Sequence, residues 1–110
     1  MDVSYVGEGI ISGYIGSRKF RPSAWSEMLC DCAAVFHQST KVLEYADYLR
    51  PMYSDEHGHC VRVNFDEMMR VDPPAYEHVL RFITSNHLQV FGPDGNEILP
   101  FTTESQIEAA

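Results

Sequence analysis

The segment Asp55-Glu56-His57-Gly58-His59-Cys60 is richer than any other in side chains that bind metals or move protons. Asp55, His57 and His59 alternate, so in an extended strand they share one face. Two imidazoles and a carboxylate are a legitimate ligand set for zinc, iron or nickel. Gly58 argues for a turn instead, which would break the alternation, and hairpin tips collect polar residues of this kind without binding anything. The turn is the reading this stretch favours. Cys60 adds a cysteine-dependent alternative, but a reactive thiol needs a depressed pKa and a base within hydrogen-bond reach. His78 and His87 are candidates for that base only if the fold brings them close. Cys30 and Cys32 sit two apart on an expected helix, about 200° around its axis, and cannot chelate one ion. Cys32 falls on the apolar stripe and is expected to be buried; Cys30 is expected to be partly exposed.

The second concentration of chemistry is RKFRPSAW, residues 18–25. Of eight basic residues in the chain, Arg18, Lys19 and Arg21 fall within four positions. Ser23 is a natural N-cap for the helix expected to follow. Cations beside a helix N-terminus oppose its dipole, so the cluster calls for compensation. Ion pairing with the chain's surplus acids, Glu27 among them, is the plainer form of it. The functional form is a bound anion at Arg18, Lys19, Arg21 and Ser23: a phosphoryl or carboxylate group, or an acidic segment of a protein partner. Arg50 and Arg62, with Tyr48 and Met52, can alternate onto a sheet face. Arginine mixed with aromatic and thioether side chains is the composition of interface hot spots.

Gly7-Glu8-Gly9 is not a dinucleotide fingerprint, since the third glycine is missing and an acid stands where phosphate would approach. With no phosphate loop and no strong metal spacing, no cofactor is expected. A net charge of −8 would repel nucleic acid and anionic lipid, so neither is an expected partner. No apolar run approaches the ~20 residues of a membrane span. The N-terminus lacks the basic flank of a signal peptide. Three cysteines at unrelated spacings make no disulfide framework, which suits the cytosol.

These residues need elements to position them. At 110 residues and 45% hydrophobic, the chain is expected to fold as one domain, with residues 1–8 and 102–110 loose. Residues 10–15 (IISGYI) read as a strand, Gly13 inside it marking a bulge or a close backbone approach. A turn at Gly16-Ser17 returns 18–21 as a second short strand with Phe20 inward, and Pro22 ends the pairing. Trp25, Met28, Leu29, Cys32, Val35 and Phe36 recur at helical spacing, predicting a helix over 23–37. Residues 48–53 read as an edge strand because of Pro51, forming a hairpin with the alternating run 60–65. A connector over 66–71, with room for one helical turn, leads to a second helix capped by Asp72 and started by Pro73. Its apolar stripe is Tyr76, Val79, Leu80 and Ile83, and Asn86 is its expected left-handed stop. A last strand spans 88–91, and residues 92–95 form a turn. The fold class is therefore α+β: an antiparallel sheet with two helices on one face, matching a ferredoxin-like split β-α-β arrangement.

Phe20-Arg21-Pro22-Ser23 with Trp25, the looser run Tyr45 to Pro51, and Ala75-Tyr76 through Leu88-Gln89-Val90 together resemble a family of small bacterial proteins of unknown function. The resemblance covers residues 10–91 and implies a bacterial cytosolic single domain, with no activity, cofactor or catalytic residue attached. Ala24 stands where that family's pattern carries an aspartate. The expectation is a non-enzymatic module binding a protein partner or a small anion. The alternative is a small metal- or cysteine-dependent enzyme centred on residues 55–60.

Overall fold

The structure, a computed structural model, describes residues 3–102. In chain order it comprises β1 (Val3–Ser4), β2 (Glu8–Ile11), β3 (Tyr14–Ile15), β4 (Arg18–Lys19) and α1 (Trp25–Cys30), followed by a 3-10 turn at Asp31–Ala33. The ribbon of β5 (Val35–His37) and β6 (Val42–Glu44) precedes the long hairpin of β7 (Leu49–Ser54) and β8 (Gly58–Asn64). Then come α2 (Phe65–Val71), α3 (Pro73–Asn86), β9 (Val90–Phe91), β10 (Glu97–Ile98) and β11 (Phe101–Thr102).

The main sheet runs β10-β9-β2-β8-β7, each neighbour antiparallel. Without β10, the order β9-β2-β8-β7 is that of the split β-α-β arrangement, so this is an α+β single domain of the expected kind. Alternation decides the faces. Ile11, Leu49, Val61, Val63 and Val90 enter a buried core with Trp25 and Leu29 of α1, Phe65 and Met68 of α2, and the α3 stripe Tyr76, Val79, Leu80 and Ile83. Arg50 and Arg62, directly opposite each other across β7 and β8, are exposed. Pro51 lies on an edge strand, as its missing N–H requires.

Three helices, rather than two, cover the sheet. Residues 66–71, expected as a connector, belong to α2, because Asn64 caps it by accepting from the Glu67 amide at 3.0 Å. Asp72 caps α3 as expected, accepting from the Ala75 amide at 3.3 Å, but the left-handed stop is His87 (φ 56°). Asn86 is the last helical residue, its amide donating back to the Phe82 carbonyl at 2.9 Å.

The larger correction concerns residues 23–37. The helix spans only Trp25–Cys30, and Ala34 is already extended (φ −84°, ψ 154°). Val35 and Phe36 continued the stripe in sequence, yet they lie in an exposed ribbon with no core behind them. Met28 also points outward, 63% exposed. β-branched and aromatic residues on both sides of a four-residue polar break favour a hairpin over a long helix. Ser23 is not the cap: Ala24 occupies that position without a side-chain bond, and the Trp25 amide donates to the Pro22 carbonyl at 3.0 Å.

The thiol assignments also reverse. Cys30 is buried and Cys32, just past the end of α1, is exposed; all three cysteines are free. Burial, with Cys32 and Asp31 nearby, pushes the Cys30 thiol up to about 12. The folded state therefore keeps a proton that the unfolded chain loses near its ordinary value of 9.0. Stability from this group is complete below that value and is lost as pH rises towards 12. Urea melts at pH 8, 9.5 and 10.5 should show a falling midpoint, and the fall should be shallower in Cys30→Ala.

Residues 1–8, expected to be loose, supply β1, which pairs with β11. Beside it the Tyr76 hydroxyl donates to the Tyr5 carbonyl at 3.0 Å and accepts from the Tyr5 amide at 3.2 Å, tying the N-terminal segment to α3. The expected tail, 102–110, lies outside the described residues except for Thr102. Among the described residues no helix is long and apolar enough to cross a membrane.

Candidate functional site

The run 10–15 does not continue as one strand, and the reason builds the site. At Ser12 and Gly13 the chain leaves the main sheet, the Ser12 amide donating to the Gln89 carbonyl at 2.9 Å. Gly13 then meets the turn between β7 and β8, donating to the His57 carbonyl at 2.8 Å. A Cβ at Gly13 would overlap the His59 carbonyl oxygen and come within 2.7 Å of that of His57. The close backbone approach expected here is thus real. The Phe20 amide donates to the Gly13 carbonyl at 2.9 Å, so the β3–β4 ribbon is fixed against the 55–59 turn at one residue.

Between the ribbon and the turn lies a cleft of about 150 Å³ lined by Gly13, Tyr14, Lys19, Phe20, Arg21, Ser23, Trp25, Tyr53, Gly58 and His59. Gly58 takes a positive φ of 63°, and the Tyr14 ring lies against it. His59 and Tyr53 meet edge to face at 5.1 Å. Trp25 forms part of the wall, stacked on Phe82 at 5.9 Å and edge-on to Phe20 at 5.3 Å. Trp25 is 3% exposed, and its Nε1–H is buried without an acceptor among the described residues. Buried indole N–H groups nearly always find a partner, and leaving a donor unpaired costs about 1–3 kcal/mol. A wider shelf of about 580 Å³ shares Lys19, Phe20 and Arg21 with the cleft and adds Ile15 and Arg18.

Among the described residues the expected ion pairing of the basic cluster is absent. Among the described residues, arginine ion pairs are Arg50–Asp47 and Arg70–Glu67; Arg18, Lys19 and Arg21 have none. In a chain with 16 acids and 8 bases, three exposed and uncompensated cations at one place are unusual. Ser23, freed from capping, lines the same cleft. Arg50 and Arg62 do not join this cluster. Arg50 turns to Asp47 at 3.3 Å, and Arg62 borders a separate groove with Glu8 and Asn64. Tyr48 lines that same groove, its hydroxyl donating to Asp72 at 3.4 Å.

Asp55, His57 and His59 are not brought together. Positive-φ Gly58 turns the chain between the two imidazoles, sending His59 towards Tyr53 and His57 towards Phe91, ring centres 4.8 Å apart. No three His, Cys, Asp or Glu side chains converge among the described residues. His57 instead lies between two oxygens, Nδ1 at 3.2 Å from Ser12 Oγ and Nε2 at 3.3 Å from Glu56. A serine, histidine and glutamate in line invite a hydrolase reading. Ser12 is only 2% exposed, however, and its oxygen already accepts from the Tyr14 amide, so a substrate carbonyl cannot reach it. Cys60 is buried, and burial pushes its thiol up despite a hydrogen bond to Ser54. The enzyme alternative at 55–60 gains no assembled nucleophile.

Tyr14, Tyr53 and His59 line the cleft only through the docking of two hairpins, which local sequence pattern does not report.

The model of the family described as "Protein of unknown function (DUF3579)" matches residues 6–92. A solution structure presented as the first structural representative of its family is similar at a TM-score of 0.71 and 28% identity, covering 87% of each chain. The comparison with curated proteins gives no match.

Proposed function

The chain belongs to the DUF3579 family, whose description carries no activity, and we propose from the geometry that it is a non-enzymatic module binding an anionic group in the cleft between β4 and the 55–59 turn. One observation carries this reading: Lys19 and Arg21, without an acidic partner among the described residues, line one small cavity together with the hydroxyl-bearing side chain of Ser23. Charge-assisted hydrogen bonds are the strong ones, and Arg21 offers a planar fork for a carboxylate or phosphate. The start of α1 is not the source of affinity, since its first amide is already committed to Pro22. Three free thiols suit a reducing compartment, so a cytosolic setting belongs to the same reading.

The test is anion-specific stabilisation. Phosphate should raise the melting temperature above that in chloride of equal ionic strength, anion at 100 times its Kd adding about 2.7 kcal/mol. Because excluded salts stabilise generally, the control is Lys19→Gln with Arg21→Gln, which should lose the specific part and keep the general part. The Trp25 indole N–H resonance should move on titration in the parent protein. Equal stabilisation of both proteins with a stationary indole signal would overturn the proposal.

A further inference from the structure

Resting on that anion-binding reading, we infer that the ligand is an acidic peptide segment of a partner protein, bound in extended form along β4, rather than a free small anion. Size is the first argument. The cleft of about 150 Å³ is well below the roughly 300–1,000 Å³ of pockets that enclose a whole small-molecule ligand. It takes a terminal group. The shelf that opens from it is larger and has a different chemistry: Arg18 and Lys19 beside the apolar surface of Ile15 and Phe20. A chain leaving the cleft would cross cations and apolar patches in turn, which free phosphate or acetate has no atoms to exploit.

The backbone gives the second argument. β4 pairs with β3 on one side, in a two-stranded ribbon separate from the main sheet; among the described residues no strand pairs with its other edge, where Lys19 turns its amide and carbonyl outward. Two residues cannot hold a register by themselves, so main-chain bonds there only supplement the side-chain contacts that would hold an extended peptide. Charge gives the third. Arg18, Lys19 and Arg21 line the shelf with no acidic partner among the described residues, so the segment that fits carries carboxylates at the positions facing them.

The experiment uses the full chain and three probes at about 150 mM salt, where exposed charges are screened beyond about 8 Å. The probes are inorganic phosphate, a pool of capped octapeptides with glutamate at alternate positions and mixed residues between, and the same pool with glutamine for glutamate. The acidic pool should bind at least about tenfold more tightly than phosphate or the glutamine pool, a gain of about 1.4 kcal/mol. It should shift the backbone amide of Lys19, which faces away from β3, as well as the Trp25 indole. Arg18→Gln, on the shelf but outside the cleft, should weaken the acidic pool by about threefold and affect phosphate less. Arg70→Gln, which removes a cation paired with Glu67, should change neither. Phosphate binding without a preference for the acidic pool would overturn the peptide inference and leave the anion site standing. Peptide binding that spares the Lys19 amide, or that Arg18→Gln leaves unchanged, would also overturn it. If neither phosphate nor peptide moves the indole signal, the underlying anion reading falls.

Discussion

Gly13→Ala is expected to be the most damaging single-methyl substitution in the protein, costing about 3 kcal/mol or more. The added carbon meets two carbonyl oxygens of the 57–59 backbone, not the end of a side chain that can swing aside. Relief requires the β3–β4 ribbon to separate from the β7–β8 turn. Separation breaks the Gly13–His57 hydrogen bond and opens the cleft at the same time. Urea melts should therefore show a lower midpoint, and any folded Gly13→Ala protein should have lost anion-specific stabilisation. Gly16→Ala is the matched control. Gly16 has open space around its Cβ position, and its cost is confined to a positive φ of 64°. A Gly13→Ala protein as stable as the parent would mean that ribbon and turn are not in contact.

Trp25→Ala is expected to cost about 3–5 kcal/mol, the range for emptying a large aromatic site. The indole ties α1 to Phe20 of the ribbon and Phe82 of α3, two rings that also meet each other edge to face at 6.0 Å. Trp25→Phe separates packing from hydrogen bonding. It should recover much of the lost stability, because an aromatic ring still stacks on Phe82 and no buried donor is left without an acceptor. A near-neutral Trp25→Ala would place the indole outside the core.

Much of this architecture is written in local pattern. Asp72 with Pro73, the stripe from Tyr76 to Ile83, the alternation Val61-Val63 and the edge position of Pro51 each follow from short-range stereochemistry, whereas the strand order is set by long-range pairing of β2 with β8 and β9. The failures also have local causes. Cys32, Val35 and Phe36 kept helical spacing past the point where the core ends, and periodicity does not report whether anything lies opposite. The short strands β1, β10 and β11 are two residues each, too brief for alternation to register. Within the site, the cations were visible as composition. Their lack of acid partners was not, because Glu27 is near in sequence and only the fold turns it elsewhere. Tyr53 and His59 reach the cleft through a turn whose docking depends on Gly13, a contact made across more than forty residues.

The edges of the main sheet have a bearing on how the protein tolerates crowding. β7 carries Pro51 in its middle, and β10, at the opposite edge, is two residues long. A neighbouring molecule seeking to extend the sheet through β7 meets a missing donor; through β10 it finds too few groups to hold a register. Sheet-to-sheet growth, the usual route by which concentrated β-rich proteins turn fibrous, is therefore blocked at both ends, and a chain short of positive charge needs no lysine-studded edges to stay dispersed.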